Sequence, residues 1–342
     1  MNVKELETTA RALVAPGKGI LAADESHGTI EKRFAAIGLA NTEDHRRAYR
    51  DMLFTTKGFG EHVSGVILFD ETIHQKSLAH VPFPEVLAKA GSIPGIKVDT
   101  GAVPMAGSPE EKVTQGLDGL RERLAKYRQL GARFAKWRAV ITIGNTLPTL
   151  PNIRENAILL ARYAALCQEQ DIVPIVEPEV LMDADNTIQR CHQVTEQTLH
   201  EVFDALYDHC VVLEGLLLKP NMVVAGKKCP AQATPELVAE LTLQCFRRTV
   251  PCAVPGIVFL SGGQSAAQAT HHLSLMNAQG PLPWKLSFSY GRALQDEALK
   301  AWGGKPENVA KAQKVFAARA RLNGLATKGK YEPKMEQDLV HA

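Results

Sequence analysis

The sequence lacks any apolar run long enough to cross a membrane. A membrane-spanning helix needs about 20 consecutive apolar residues, and no stretch of this 342-residue chain approaches that length. The first ten residues include Glu5 and Glu7 and contain no apolar core of the length found in signal peptides. We therefore expect a soluble cytoplasmic protein without a membrane partner.

Signals for metal, disulfide and nucleic-acid binding are also missing. The six cysteines show no CxxC spacing, so reduced thiols are expected rather than a disulfide framework. The 11 histidines are scattered, and the adjacent His271 and His272 are expected to point to different sides of a helix, which gives no zinc site. The formal net charge is +2, with basic and acidic residues interspersed, which gives no sign of a nucleic-acid partner.

What the chain does contain is an alternation of short apolar runs with longer segments of helical period. The runs predict eight strands, over residues 19–23, 65–69, 95–98, 133–141, 172–176, 213–218, 256–260 and 285–288. Eight strands alternating with helices, without a linker rich in Gly, Ser or Pro, favour an α/β fold made of a single (β/α)8 TIM barrel. A doubly wound open sheet is the alternative fold.

The barrel is expected to occupy residues 1–334. After its third strand, apolar residues between Val113 and Tyr127 follow one helical stripe, and Ser108 and Glu111 predict a capping box that starts this helix. Residues after Gly324 are polar and weakly patterned, so we expect a mobile extension there. We expect residues 335–342 to form a polar C-terminal tail that follows the barrel.

One lysine is placed unusually, at the end of an apolar run. Pro220 follows Lys219 at once and cannot continue a central strand, so Lys219 is expected at the C-terminal end of the sixth strand. Lysine is rarely buried without a partner. Desolvation favours the neutral amine, which is the form needed for Schiff-base chemistry. The alternative is a lysine whose amine reaches solvent from the strand mouth.

The other strand ends also carry charged or phosphate-binding side chains. The active site of a TIM barrel lies at the C-terminal ends of its strands, so these side chains are expected to meet there. Lys136 beside Lys219 would favour a neutral amine, and the carboxylates of Asp24 and Glu177 could transfer protons. The Gly-rich turns after strands seven and eight are typical of phosphate sites. The pattern indicates a sugar-phosphate substrate that forms an imine, with phosphate at one or both ends.

Six segments carry a resemblance to a known family. They are residues 21–26, 134–138, 176–179, 218–222, 260–265 and 288–292, which read LAADES, FAKWR, VEPE, LKPNM, LSGGQS and FSYGR. In this order, from about Arg11 to Pro333, the chain resembles class I fructose-bisphosphate aldolase. The resemblance implies reversible cleavage of fructose 1,6-bisphosphate to dihydroxyacetone phosphate and glyceraldehyde 3-phosphate. It also implies a homotetrameric Schiff-base lyase of glycolysis and gluconeogenesis that uses no metal and no cofactor.

The same resemblance implies a role for each matching residue. Lys219 would form the imine, and Glu177 would act as acid and base in carbinolamine dehydration. Asp24 and Lys136 would position the C4 hydroxyl and stabilise charge, and Glu179 is a further candidate catalytic carboxylate. The C1 phosphate would be bound by Ser261, Gly262, Ser289, Gly291 and Arg292. The other phosphate would be bound near Ser26, Arg33, Lys97 and Arg138.

The sequence departs from animal members of the family in two places. The loop after Asp24 carries His27 where those enzymes have threonine, and the chain ends in Val340, His341 and Ala342 rather than in a tyrosine. We therefore expect the tail to be dispensable for cleavage. The preference between fructose 1,6-bisphosphate and fructose 1-phosphate stays open, as does the carboxylate that takes the C4 proton. The alternative functions are a sugar-phosphate isomerase barrel, a non-catalytic scaffold and a zinc-dependent aldolase.

Overall fold

Strands and helices alternate along the chain. A computed structural model describes residues 1–337. The strands are β1 (Gly19–Ala23), β2 (Val63–Leu68), β3 (Ile93–Lys97), β4 (Gly101–Met105), β5 (Ser108–Gln115), β6 (Phe134–Ile141), β7 (Val173–Val180), β8 (Leu217–Leu218), β9 (Gly256–Phe259) and β10 (Lys285–Tyr290). The α-helices are α1 (Val3–Leu13), α2 (His27–Ala35), α3 (Glu43–Phe54), α4 (Asp70–His74), α5 (Phe83–Lys89), α6 (Leu120–Gln129), α7 (Leu150–Glu169), α8 (Ile188–Asp208), α9 (Pro235–Thr249), α10 (Ala266–Ala278), α11 (Arg292–Trp302) and α12 (Val309–Ala326). Short 3-10 helices lie at Phe59–Glu61, Leu213–Gly215, Pro306–Asn308 and Pro333–Glu336.

Eight of these strands close into one barrel. Their order around the barrel is β1, β2, β3, β6, β7, β8, β9 and β10, and β10 pairs with β1 in parallel. The single (β/α)8 TIM barrel is therefore confirmed. The open doubly wound sheet is wrong, because closure of the barrel leaves no edge strand. Since the strands run in one direction, their C-terminal residues emerge together at one end.

Apolar side chains fill the opposite, N-terminal end of the barrel. Phe134 is fully buried, and a Cβ atom at Gly65 or Gly95 would collide with its ring. Leu13 of α1 packs against Gly65 in the same way, and α1 shares one buried cluster with the inward-facing strand residues. Because this end is closed by apolar packing, the polar strand-end residues meet only at the C-terminal end.

The segment predicted to start the helix after the third strand forms a hairpin instead. β4 and β5 pair antiparallel, and α6 begins only at Leu120. Ser108 does donate a hydrogen bond to Glu111, at 2.9 Å from Oγ to Oε2. Glu111 is fully buried, however, and also accepts hydrogen bonds from the backbone N and the hydroxyl of Thr149, the N-cap residue of α7. The predicted capping box is wrong because this tertiary contact holds Glu111 in a strand.

The sixth barrel strand is shorter than predicted and the fifth is longer. A 3-10 helix at Leu213–Gly215 precedes β8, because the side chain of Gln168 bonds both the N–H and the C=O of Val212 and holds the chain in a turn. β7 runs on to Val180 instead of ending at Val176, so Glu177 and Glu179 lie within it.

The chain after Gly324 packs against the barrel. Tyr331 is buried, and its hydroxyl donates to Glu336 at 2.7 Å. Both carboxylate oxygens of Glu336 also accept hydrogen bonds from the buried guanidinium of Arg319. The expectation of a mobile extension after Gly324 is therefore wrong as far as residue 337. The remainder of the tail, including His341, lies outside the described residues, and the boundary at residue 334 stays a prediction.

None of the helices among residues 1–337 has both the length and the apolar character needed to cross a membrane. The six cysteines are free thiols. In the same part of the chain, no group of three or more His, Cys, Asp and Glu side chains is arranged to hold a metal ion.

Candidate active site

The C-terminal ends of the barrel strands surround one large cavity. It has a volume of about 790 Å³, and every residue that the sequence predicted for the site lines it. These residues are Asp24, Ser26, Arg33, Lys97, Lys136, Arg138, Glu177, Glu179, Lys219, Ser261, Gly262, Ser289, Gly291 and Arg292. Parallel strands of one barrel deliver their C-terminal side chains to the same end, which is why residues far apart in sequence meet here.

Lys219 lies on the floor of this cavity. Its backbone N–H donates to the carbonyl of Val176 at 2.8 Å, which continues the pairing between β7 and β8 by one residue. Asn221 then accepts a hydrogen bond from the backbone N–H of Val180, so the Lys-Pro-Asn segment is fixed against β7. The Lys219 side chain is buried, with Nζ 3.1 Å from Oε1 of Glu177.

Lys136 lies among three carboxylates. Its Nζ atom is 2.7 Å from Asp24, 3.5 Å from Glu177 and 3.9 Å from Asp99. Burial lowers the pKa of Lys136, but these carboxylates outweigh that effect and raise the pKa above its ordinary value. Burial raises the pKa of Asp24, but the neighbouring Lys136 and Lys219 side chains outweigh it and hold the Asp24 pKa well below its usual range. Lys136 is therefore a fixed cation and Asp24 a fixed anion at neutral pH.

The two glutamates of β7 have different surroundings. The Oε2 atom of Glu177 is buried and has no hydrogen-bond partner among the described residues, although Lys136 lies 3.5 Å away. Glu179 instead pairs with Arg138, at 2.5 Å from Nε to Oε2, and the Arg138 side chain is nearly half exposed. Glu177 therefore faces the amines on the cavity floor, whereas Glu179 forms an ion pair with Arg138 at the cavity rim.

Two turns line the cavity that contains Lys219. After β9, Gly262 and Gly263 both adopt left-handed conformations, with φ of +56° and +81°, which only glycine adopts at little cost. The Ser289 hydroxyl on β10 is buried and has no partner among the described residues. Gly291 is the N-cap residue of α11, and Arg292 is the first residue of that helix. An unpartnered hydroxyl, glycine-rich backbone and an arginine at a helix N-terminus are features that fit a phosphate group.

A second set of polar groups lines the cavity from the C-terminal ends of β1 and β3. The hydroxyls of Ser26 and Thr29 are 3.1 Å apart, and Lys97 Nζ lies 3.4 Å from Oδ1 of Asp99. Arg33 was expected with this second phosphate, but its Nη2 atom lies 3.4 Å from the position that a Cβ of Gly291 would take. Arg33 therefore borders the turn expected to hold the C1 phosphate.

Comparison with known proteins places this chain in one family. The family model described as fructose-bisphosphate aldolase class-I matches residues 5–342. A probable fructose-bisphosphate aldolase class 1 from Xanthomonas campestris pv. campestris is 58% identical over 333 residues, which covers 97% of this chain and 100% of the relative. The chain belongs to the class I fructose-bisphosphate aldolase family. Its members are lyases that act on sugar phosphates in glycolysis, so this protein is an enzyme of that kind.

Two further aldolases show the same similarity. Fructose-bisphosphate aldolase 1 of Toxoplasma gondii is 57% identical over 330 residues, covering 96% of this chain and 91% of the relative. A solved structure of the aldolase from Plasmodium falciparum, in complex with TRAP and a small-molecule inhibitor, matches with a TM-score of 0.95. The two chains are 55% identical, and 96% of each is covered. The TIM barrel of this aldolase thus has a close structural counterpart.

Three charged residues in or beside this cavity were given no role from the sequence. Glu25 is buried and pairs with two guanidinium groups, with Arg33 at 2.6 Å and with Arg50 at 2.9 Å. Asp99 contacts both Lys97 and Lys136. Asp99 had a signal, because it stands two residues after Lys97 at a strand end. Arg50 had none, because an arginine in the polar helix α3 does not differ in sequence from an exposed one.

Proposed function

We propose that this aldolase cleaves fructose 1,6-bisphosphate reversibly through a Schiff base at Lys219. The observation that carries the proposal is the position of Glu177 between two amines, with Lys219 at 3.1 Å and Lys136 at 3.5 Å from its two oxygens. A lysine beside a buried acid is the arrangement that imine formation needs, since the amine attacks and the acid assists loss of water.

The reaction begins when the neutral amine of Lys219 attacks the C2 ketone of the open-chain sugar. Glu177 protonates the hydroxyl of the resulting carbinolamine, and water leaves to give an iminium ion. The contact between Glu177 and Lys219 supports this assignment, because the proton donor has to reach the hydroxyl on the carbon that carries the new C–N bond.

Cleavage of the C3–C4 bond then requires a base at the C4 hydroxyl. We assign this base to Glu177 rather than to Asp24. Lys136 holds Asp24 as an ion pair at 2.7 Å and the Asp24 pKa is well below its usual range, which makes Asp24 a poor base. Asp24 and Lys136 act instead by orienting the C4 hydroxyl. The iminium takes up the electron pair of the broken bond, glyceraldehyde 3-phosphate leaves, and the enamine is protonated at C3 and hydrolysed to dihydroxyacetone phosphate.

The phosphates fix the sugar over Lys219. We assign the C1 phosphate to the Ser261–Gly262 turn, Ser289 and the Gly291–Arg292 turn, because the buried Ser289 hydroxyl has no other partner among residues 1–337. We assign the C6 phosphate to Ser26, Lys97 and Arg138, which line the same cavity. A sugar-phosphate isomerase barrel would share the phosphate turns but would not require two strand-end lysines. A non-catalytic scaffold would not need to keep Asp24, Lys136, Glu177 and Lys219 together.

The proposal is tested by measuring cleavage of fructose 1,6-bisphosphate with and without a saturating chelator. Activity is expected to survive the chelator and to be lost in Lys219→Met, a substitution that keeps much of the volume but removes the amine. Loss of activity with the chelator, restored by zinc, would contradict the Schiff-base reaction.

We also propose a homotetramer in the cytoplasm, on the support of the family resemblance. Sedimentation equilibrium at micromolar concentration gives the oligomeric state directly. A monomer there would contradict the proposal.

A further inference from the structure

We infer that His272 is a positioning residue for the phosphate-binding turn, acting through the side chain of Gln264. The inference rests on the proposed function, in which this turn holds the C1 phosphate. It concerns the side of the turn that faces away from Lys219.

A second cavity, of about 430 Å³, lies behind the turn and is lined by Gly263 and Gln264. His271 and His272 of α10 both line it, although the sequence led us to expect them on different sides of the helix. The two histidines nevertheless differ in their contacts. His272 is buried and reaches the turn, whereas the ring of His271 lies 6.3 Å from the ring of Tyr331.

Two hydrogen bonds in series connect His272 to the turn. The Nδ1 atom of His272 lies 2.6 Å from Oε1 of Gln264. The Gln264 amide nitrogen donates to the carbonyl of Ser261 at 2.9 Å, which fixes the orientation of the amide and makes Oε1 an acceptor. Nδ1 of His272 therefore carries the proton and donates the hydrogen bond to Oε1 of Gln264. Burial and the neighbouring His271 lower the pKa of His272 to about 4, so the ring is neutral at pH 7.

This connection adds to the restraint of a turn that has one backbone hydrogen bond, from the N–H of Gln264 to the carbonyl of Ser261 at 3.0 Å. Gly262 and Gly263 lack side chains and lie in the left-handed region, so the turn loses much conformational freedom when it becomes ordered. Helix α10 is held at its start by a capping box between Ser265 and Gln268, and His272 is attached to this helix. The hydrogen bonds therefore transmit the position of a fixed helix to the Ser261 backbone. Donors that are held before binding favour the anion, because less entropy is lost when it binds.

The experiment compares substitutions at the two adjacent histidines. His272→Ala removes the donor, and His271→Ala is the matched control in the same helix and cavity. His272→Asn places an amide nitrogen at the same number of bonds from Cα as Nδ1, so it keeps the donor. His272→Gln places its nitrogen one bond further out, where it cannot replace Nδ1 without moving the side chain.

Three quantities are measured: KM and kcat for fructose 1,6-bisphosphate, and the inhibition constant of inorganic phosphate. We expect His272→Ala to raise KM and the inhibition constant about tenfold while kcat changes less than about twofold. His272→Asn and His271→Ala should resemble the wild type, and His272→Gln should resemble His272→Ala. A loss of folding alone would lower kcat through the fraction of active enzyme and would not be rescued selectively by asparagine.

The inference is overturned if His272→Ala leaves phosphate binding unchanged, or if His271→Ala has the same effect. Ser261→Ala separates this failure from failure of the proposed function. If Ser261→Ala weakens phosphate binding and His272→Ala does not, only the positioning role is wrong. If neither weakens it, the assigned phosphate site is wrong as well.

Discussion

The amine of Lys219 lies 3.1 Å from one oxygen of Glu177, whose other oxygen has no hydrogen-bond partner among the described residues. A carboxyl group in this position can exchange a proton with the substrate while it stays in contact with the imine nitrogen. The proposed reaction thus gives the two oxygens separate tasks, and it depends on Glu177 more than on any neighbouring carboxylate.

Glu177→Gln should reduce turnover strongly, because the amide keeps the hydrogen bond to Lys219 but cannot transfer a proton. General acid–base groups contribute about 10²–10⁴ in rate, so kcat should fall by roughly 10²–10³. Glu179→Gln is the control, because Glu179 pairs with Arg138 at the rim. Its kcat should change less than about tenfold, or about 1.4 kcal/mol of barrier. Equal losses in the two variants would show that the acid/base assignment is wrong.

Lys97→Met should distinguish the two ends of the substrate. Lys97 ends β3, which lies opposite β9 in the barrel order, and it pairs with Asp99, so we expect it to bind the C6 phosphate. Charge-assisted hydrogen bonds contribute about 1.5–3 kcal/mol, so kcat/KM for fructose 1,6-bisphosphate should fall roughly 10–100-fold. Fructose 1-phosphate lacks that phosphate and should be affected less than about threefold.

The control for this comparison is Ser261→Ala. It should lower kcat/KM for both substrates, because both carry the C1 phosphate. Steady-state kinetics on the two sugars measures the effect. Equal losses for the two sugars in Lys97→Met would mean that Lys97 does not recognise the C6 phosphate.

The strand-end residues could be predicted from sequence because their signal is local and repeated. Lys219 is followed by a proline that ends the strand, and alternation along β6 places Lys136 and Arg138 on one face. Parallel connectivity then brings such residues together without further information. The hairpin at β4 and β5 could not be predicted in this way, because Ser108 and Glu111 have the spacing of a helix cap. Their conformation is decided by Thr149, some 40 residues away in sequence.

The dispensability of the tail can be tested by deletion, and the structure indicates where the deletion should begin. Deletion of residues 335–342 would remove Glu336, which the buried Arg319 holds together with Glu297. Deletion of residues 338–342 avoids this loss and should change cleavage of fructose 1,6-bisphosphate less than about threefold. Glu336→Gln is a separate variant, expected to lower the free energy of unfolding by about 2 kcal/mol without a comparable loss of kcat.

Proton exchange at C3 of dihydroxyacetone phosphate is the measurement that can contradict this view of the tail. If the 338–342 deletion slowed exchange about a hundredfold, roughly 2.7 kcal/mol of barrier, the tail would supply the proton donor. His341→Ala would then identify the donor within it.

His272 should make stability depend on pH in mildly acidic solution. Burial and His271 lower its pKa from 6.5 to about 4, so below pH 6.5 the unfolded chain binds a proton that the folded chain does not. Stability is therefore lost as the pH falls from 6.5 towards 4, by about 1.4 kcal/mol per pH unit. His272→Asn removes this dependence. Its free energy of unfolding, relative to that of the wild type, should therefore rise by about 2 kcal/mol between pH 7 and pH 5.

Urea unfolding at pH 7, 6 and 5 measures this difference. The other charged or titratable groups are the same in both proteins, so their contributions cancel to first order. They are Lys227, His271, Tyr331 and Glu336 in the cavity and Glu236, whose charge also acts on His272. Parallel pH profiles in the two proteins would mean that His272 is not kept neutral by its burial.

The most direct test of the Schiff-base proposal is reductive trapping. Borohydride added together with dihydroxyacetone phosphate should inactivate the enzyme and attach one triose phosphate per chain, and peptide mapping should locate it at Lys219. Lys136→Met should still be trapped at Lys219, and Lys219→Met should not be trapped. Attachment at Lys136, or no attachment in the wild type, would contradict the assignment of Lys219 as the imine-forming residue.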